Sequence, residues 1–417
     1  MTDSPAFTLI HLNPGTEIRL EPLAAERIEA AISTPGVSMV YTDYFEDTTR
    51  VSLIDCLDGA VRDDFDFGPM VAINSSLLGE DFTHPEDPFQ WYELRLWLMR
   101  HGKIIHLAEP LYRVSRKDDD DKSQFDYVDP RNRDYQLRME EICRRHLAET
   151  GALLTAPFKE VDLSEGQFPV EASVIIPVRN RVTTIADAVK SALSQNAGFD
   201  FNVIVVDNGS TDGTSEILAS FSDPRLHVIT VTPSYNTPGI GGCWNRAIFS
   251  EHCGRFAVQL DSDDVYSSPF TLKTIVEAFY LNDCPMVIGS YTLTDFDLNI
   301  LPPGLIDHRE WTDENGRNNL LRVNGAGAPR AFFTPIARCF TFPDVSYGED
   351  YAMALAISRQ YRIGRIYDSL YFCRRWHDNT DASLDAARMA ANNFYKDTLR
   401  TRELHARIAL NRNDDPE

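Results

Sequence analysis

The sequence sets an apolar run directly against three carboxylates: Phe256-Ala-Val-Gln-Leu260 ends on Asp261-Ser-Asp263-Asp264. A short apolar run bounded in this way reads as a buried strand. Its C-terminal end would deliver acid groups into a crevice, and in open α/β sheets that end is where ligands bind. Carboxylates this close repel one another, so a divalent cation between them is the simplest explanation, Mg²⁺ or Mn²⁺ given all-oxygen ligation. The plainer alternative is an Asp-rich turn ahead of a helix near Pro269, since Asp and Ser favour turns and caps.

A chain of 417 residues has room for two domains and a substantial core. Its 43% hydrophobic and 25% charged residues are those of an ordinary soluble protein. The net charge of -23 argues against a nucleic-acid surface and against attraction to anionic lipid. Seven scattered cysteines with no CxxC pair predict reduced thiols and a cytoplasmic protein. The N-terminus lacks a basic region followed by an apolar one, and no apolar run approaches the ~18 residues of a membrane span. Peripheral contact at the inner face of a membrane stays open.

Residues 6 to 116 read as mixed α/β, with strands at Phe7–Leu12, Val37–Tyr44 and Lys103–Leu107 and helices at Leu20–Ile32 and Trp91–Met99. Lys117–Lys122 reads as a solvated loop, Arg133–Glu149 as an amphipathic helix and Gly151–Pro169 as a linker. From Ala172 the pattern changes. Strands at Ser173–Pro177, Phe201–Asp207 and Leu226–Val231 alternate with helices at Thr183–Gln195 and up to Ser220, which predicts βαβ units and a mainly parallel sheet. The Gly-rich segment Pro238–Gly242 opens a helix through Phe249, and a last helix runs from about Ser383 to Leu410.

The two halves share a weak internal repeat at an offset of about 250 residues. Leu12–Thr16 stands in the place of Leu260–Asp264, Val40-Tyr-Thr42 matches Ser290-Tyr-Thr292, and Glu109–Arg113 matches Asp368–Phe372. The chemistry is missing from the first copy: Asn13-Pro14-Gly15 replaces the acid cluster and Gln90-Trp91 replaces Glu349-Asp350. The expected organisation is a degenerate, noncatalytic region over residues 1–160, a catalytic domain over 170–380, and a C-terminal helix and tail over 381–417.

Six motifs of the second domain, in order, resemble those of the family 2 glycosyltransferases, nucleotide-sugar enzymes of the GT-A fold. They are Val174–Asn180, Val205–Asp212, Gly241–Arg246, Leu260–Asp264, Gly348–Asp350 and Arg375-Trp-His377. The resemblance covers about half the chain directly. It implies an α/β fold of the Rossmann-like kind, a mainly parallel sheet with helices on both faces. Pro177, Arg179, Asp207 and Asn208 would line the base and ribose pocket, with Asn245, Arg246 and Asp261 also on the nucleotide.

Two positions depart from the family pattern: Arg179 stands where an aromatic is frequent and Asn208 where a second Asp is frequent. A guanidinium can stack on a base and an amide oxygen can accept from its N–H, so nucleotide binding is retained while the identity of the base is open. The resemblance makes Asp263 the direct ligand of Mn²⁺ or Mg²⁺, with Asp261 and Asp264 nearby and His377 as a further ligand. Arg246 and the N-terminus of the helix after Gly242 would face the phosphates. Asp350 would be the general base, Glu349 an acceptor contact, and Asn324–Arg330 a wall of the sugar pocket. The expected activity is inverting transfer of a sugar from a nucleotide-diphosphate sugar to a glycan or lipid-linked acceptor in polysaccharide synthesis. A nucleotidyltransferase is the rival enzyme, but Val178–Val182 is not a Gly-rich, Lys-containing phosphate loop. A noncatalytic carbohydrate-binding or scaffolding protein is the rival from another class, and fits the first region better than the second.

Overall fold

The structure is a computed structural model that describes residues 6–13, 15–115, 132–232, 237–309, 311–312, 314–376 and 385–413. The Lys117–Lys122 loop of the sequence reading lies outside the described residues.

The N-terminal region contains β1 (Phe7–His11), β2 (Ile18–Leu20), α1 (Ala24–Ile32), β3 (Val37–Glu46), β4 (Thr49–Val51), β5 (Met70–Asn74), α2 (Pro88–His101), β6 (Lys103–Val114) and α3 (Arg133–Glu149). Its strands form a sheet in the order β1-β5-β3-β6-β2, with β4 added to β3. The start of α2 is fixed locally: Asp87 accepts from the Gln90 N–H, and Pro88 occupies the first turn, where its missing N–H costs nothing.

The second part begins with β7 (Ala172–Val178), α4 (Ile185–Leu193), β8 (Phe201–Asp207), α5 (Thr214–Ala219), β9 (Leu226–Thr230) and α6 (Ile240–Ile248). It continues with β10 (Phe256–Gln259), β11 (Val265–Tyr266), α7 (Thr271–Asn282), β12 (Met286–Thr294), β13 (Ile300–Ile306), α8 (Gly316–Asn319), β14 (Arg330–Phe333), α9 (Thr334–Phe340), α10 (Glu349–Ser358) and β15 (Ile363–Arg374). The long helix α11 (Ala386–Asn413) closes the chain. The sheet order is β11-β15-β12-β14-β10-β7-β8-β9, with β13 on β12. It is parallel from β10 through β9 and between β12 and β15, and antiparallel where β11, β13 and β14 join.

Strands β7 and β8 read as unbroken β-branched runs because both their faces are covered, and Val203–Val206 are fully buried. On one face α4 places Ile185, Ala188, Val189 and Ala192 at helical spacing into the core. The other face shares a core with the N-terminal region: Val61, Tyr92, Leu96, Met139 and Ile142 belong to one apolar cluster with Ile175, Ile204 and Ala257. The two regions therefore pack as one body rather than as domains joined by a free linker. The segment read as a linker is itself packed, with Leu163 in the core and the Leu154 N–H donating to Asn318 Oδ1 at 2.9 Å.

The connectivity of the N-terminal sheet matches, strand for strand, that of β10-β14-β12-β15-β11 with β13 on β12. The pairing senses match as well: β3 and β12 run parallel to β6 and β15, and every other pair in both sets is antiparallel. Helices α2 and α10 precede the equivalent strands β6 and β15.

Helix α11 carries charged residues inward. Lys396, Asp397, Arg400, Glu403 and Arg407, at helical spacing, are all buried. Burying ions is unfavourable without partners, and each of these has them. Arg400 donates to Asp397 Oδ1, to the carbonyls of Leu321 and Val323, to Tyr351 Oη and to Asn324 Oδ1, while Arg407 pairs with Glu403.

Candidate active site

The strand β10 ends at Gln259, and the acid cluster follows at its C-terminal end, in the crevice that the sequence pattern anticipates. The three carboxylates are not equivalent. Asp263 accepts from Trp376 Nε1 at 3.2 Å on the same oxygen that lies 3.7 Å from Arg181 Nε. Asp261 accepts from Gln259 Nε2 at 2.9 Å, and its backbone N–H donates to Tyr371 Oη at 3.2 Å. Asp264 turns inward: its Oδ1 accepts from the Arg374 N–H at 2.7 Å. Burial, together with the charges of Asp263 and Asp261, pushes the Asp264 carboxyl well above its ordinary range. Burial also raises Asp261, opposed by Arg330. Asp264 is thus a structural bond of the β10–β11 turn, and the carboxylates left for a ligand are Asp261 and Asp263. His377 lies outside the described residues.

Among the described residues, no three His, Cys, Asp or Glu side chains come together as a metal-binding group. The donor set nevertheless fits a hard cation. Mg²⁺ is usually held by one or two carboxylates, with substrate phosphates and water completing its shell.

Two further carboxylates open α10. Gly348, at φ 79°, turns the chain so that Glu349 and Asp350 fall in the first helical turn, where the helix dipole favours negative charge. Burial opposes ionisation of Asp350. Arg330, Lys396 and the Tyr351 N–H, which donates to Asp350 Oδ1 at 2.7 Å, outweigh it and hold the carboxyl below its ordinary range. Glu349 has the opposite environment. It is only 8% exposed, its Oε2 has no hydrogen-bond partner, and burial with the charge of Asp350 pushes its carboxyl up to about 8.

Arg330 joins the two groups of acids. Its guanidinium is ion-paired with Asp350, and its Nε and backbone N–H both donate to Gln259 Oε1 at 3.0 Å. Gln259 in turn holds Asp261. Sequence reasoning placed Arg330 in a sugar-pocket segment and passed over Gln259. The signal for both is their position at the facing ends of β10 and β14, which only the antiparallel pairing reveals.

Pro177 and Asp207 lie at adjacent strand ends, as expected, and Arg179 is exposed beside them. The Asp207 carboxylate is spent on its own turn, accepting from the Ser210 N–H at 3.0 Å and from Ser215 Oγ. Asn208 is the open group: its Nδ2 donates to the Pro238 carbonyl at 2.7 Å, which leaves Oδ1 a buried acceptor without a partner. Asn245 is committed elsewhere, exchanging both of its amide bonds with the backbone of Phe342. Arg246 is exposed in the last turn of α6, away from that helix's N-terminus. That terminus faces an acid: Asp344 Oδ1 accepts from the Gly239 N–H at 2.7 Å. The glycines serve packing rather than phosphate approach, since a Cβ on Gly241 would come within 1.9 Å of the Pro343 carbonyl oxygen.

The α/β sheet with an acidic strand end and a paired-acid helix start has the GT-A arrangement, and residues 173–333 match the family model described as Glycosyl transferase family 2. This part of the chain is a family 2 glycosyltransferase domain. It is 34% identical over 107 residues to the succinoglycan biosynthesis protein ExoO of Rhizobium meliloti, covering 26% of this chain and 29% of that protein. The chain is also 28% identical over 199 residues to the Escherichia coli UDP-Glc:alpha-D-GlcNAc-diphosphoundecaprenol beta-1,3-glucosyltransferase WfgD, covering 46% of this chain and 72% of that enzyme. A solved structure of Staphylococcus aureus TarS 1-349 with UDP-GlcNAc aligns with a TM-score of 0.44 at 20% identity, over 58% of this chain and 74% of that one. Among the described residues no helix is long and apolar enough to cross a membrane.

Proposed function

We propose that the chain is an inverting, divalent-cation-dependent glycosyltransferase that moves a sugar from a nucleotide-diphosphate sugar to an acceptor hydroxyl. The observation that carries this reading is the Gln259–Arg330 bridge, which ties the metal-side Asp261 to the base-side Asp350 across one crevice. The base of the donor lies at the ends of β7 and β8, where Asn208 Oδ1 accepts from a base N–H. A cation held by Asp261 and Asp263, Mn²⁺ or Mg²⁺, neutralises charge on the departing diphosphate when bound.

Asp350, kept ionised by Arg330, takes the acceptor hydroxyl proton as that oxygen bonds to the anomeric carbon and the bond to the diphosphate breaks. Glu349, protonated at neutral pH, donates a hydrogen bond to a hydroxyl of the acceptor or of the transferred sugar. The acceptor class is a glycan or a lipid-linked saccharide, supported by the diphosphoundecaprenol acceptor in the name of the Escherichia coli relative. The N-terminal region is a noncatalytic half-repeat, a reading supported by its shared strand order and by Gln90 and Trp91 at the start of α2.

The test is a thermal-shift screen of UDP, GDP and dTDP with and without Mn²⁺, since a ligand that binds only the native state raises its melting temperature. A shift that needs both nucleotide and metal supports the reading. No shift with any pair counts against it.

A further inference from the structure

We propose that the N-terminal region is a positioning element of the active site, acting through Asp64 on Asn324. The proposal rests on the reading of Asp350 and Arg330 given above and assigns a role to the half of the molecule that carries no chemistry of its own.

Asn324 begins the segment that leads to Arg330, and both the N-terminal region and α11 hold it. Its Nδ2 donates to Asp64 Oδ2 of the N-terminal region at 2.8 Å. Its Oδ1 accepts from Arg400 Nη2 at 2.7 Å and its carbonyl from Lys396 Nζ at 2.6 Å, both from α11. Asp64 is itself fixed, because Arg62 donates to its Oδ1 at 2.7 Å and to its carbonyl at 3.0 Å, while the Arg62 Nε reaches Asp397 of α11 at 3.2 Å. Arg322, two residues before Asn324, meets the same region through Asp63 at 3.2 Å.

Between Asn324 and Arg330 lie Gly325, Ala326, Gly327, Ala328 and Pro329, with Gly327 at φ 102°. Small residues give this stretch few side-chain anchors of its own; Arg365 Nη1 donates to the Ala326 carbonyl at 2.6 Å and the Gly289 N–H to the Pro329 carbonyl at 2.9 Å, and its entry is set by how Asn324 is held. At the far end the guanidinium of Arg330 has to meet Gln259 and Asp350 together. A displacement of about 1 Å at a catalytic group is enough to lower a rate about a hundredfold. Asp64 is therefore a positioning residue that contacts neither donor nor acceptor.

The test uses the full chain as wild type, Asp64→Ala, Asp64→Asn and Asp58→Ala. Asp58 meets α11 at the exposed His405, at 3.0 Å, and serves as the control. Two readouts are taken: hydrogen exchange of the peptide 320–333, and Mn²⁺-dependent release of UDP from UDP-glucose with water as acceptor. The Val323 and Arg330 amides in that peptide donate to Asn319 and Gln259 and report its order.

Asp64→Ala is expected to speed exchange in 320–333 roughly tenfold while leaving the peptide over β8 unchanged, the size expected for a lost bond to a charged group. It is also expected to lower kcat with the donor KM unchanged. Asp64→Asn, whose single amide oxygen can accept from Asn324 or from Arg62 but not from both, recovers part of each, and Asp58→Ala changes neither. Exchange in Asp64→Ala equal to wild type overturns the proposal, as does a rise in donor KM at unchanged kcat. If wild type itself releases no UDP, the proposed activity with this donor fails separately, and the exchange result alone decides whether Asp64 orders the segment.

Discussion

Arg330 is ion-paired with Asp350 while its Nε and backbone N–H donate to Gln259, so one residue links Asp350 and, through Gln259, Asp261. A lysine at this position keeps the charge but not the planar fork that reaches both partners.

Arg330→Ala is expected to leave Asp350 in its buried site without its main counter-charge, which raises its proton affinity. The base is then ionised only at higher pH, so the acid limb of the pH–rate profile moves to higher pH. Arg330→Lys should give a smaller displacement with a loss of turnover of about tenfold to a hundredfold. Rate profiles from pH 4 to 9 check this; an unmoved acid limb in Arg330→Ala would separate Arg330 from the base.

Glu349 makes stability depend on pH. Its carboxyl titrates at about 8 in the folded protein against an ordinary value of 4.5, so between these values the folded state binds a proton that the unfolded state has released. Stability from this group is full below pH 4.5, falls as pH rises, and levels out above 8. Glu349→Gln removes that loss and should be more stable than wild type at pH 8.5, by on the order of a few kcal/mol, with little difference at pH 4.5. Melting temperatures of both proteins at the two pH values measure it.

Asp263 is a crevice carboxylate that meets Trp376 Nε1 at 3.2 Å and Arg181 Nε at 3.7 Å. Asp263→Ala should abolish Mn²⁺-dependent binding of a nucleoside diphosphate and leave the melting temperature within about 1 kcal/mol of wild type in stability terms. Calorimetric titration of UDP with and without Mn²⁺ shows whether the metal dependence survives.

The features legible in the sequence are those that depend on contiguous residues. The apolar run at Phe256–Leu260, the β-branched strands ending at Pro177 and Asp207, and the Gly348 turn into α10 each appear where their local patterns put them. What escaped is set by pairing between distant segments. Gln259 meets Arg330 71 residues later because β10 and β14 run antiparallel, and the inward turn of Asp264 is fixed by Arg374, 110 residues on. Likewise, the sequence sets the N-terminus of the helix after Gly242 toward the phosphates, whereas in the fold Asp344 accepts from the Gly239 N–H there and packing against Pro343 and Asp344 excludes a side chain at Gly241 and Gly242. The buried arginines of α11 are the sharpest case, since a charged helix face ordinarily reads as solvated, and Arg400 and Arg407 are matched by the carbonyls of Leu321, Val323 and Arg317, far from them in sequence.

The central claim is that Asp350 takes a proton from the attacking oxygen, and Asp350→Asn addresses it most directly. Asparagine keeps the size of the side chain, can still accept from the Tyr351 N–H in the first turn of α10, and cannot take the proton. The measurement is turnover of the donor whose nucleotide gives the largest Mn²⁺-dependent thermal shift, made alongside donor affinity. The account predicts a fall in kcat of about 10²- to 10⁴-fold with affinity little changed. Turnover near that of wild type would contradict it and pass the role of base to Glu349.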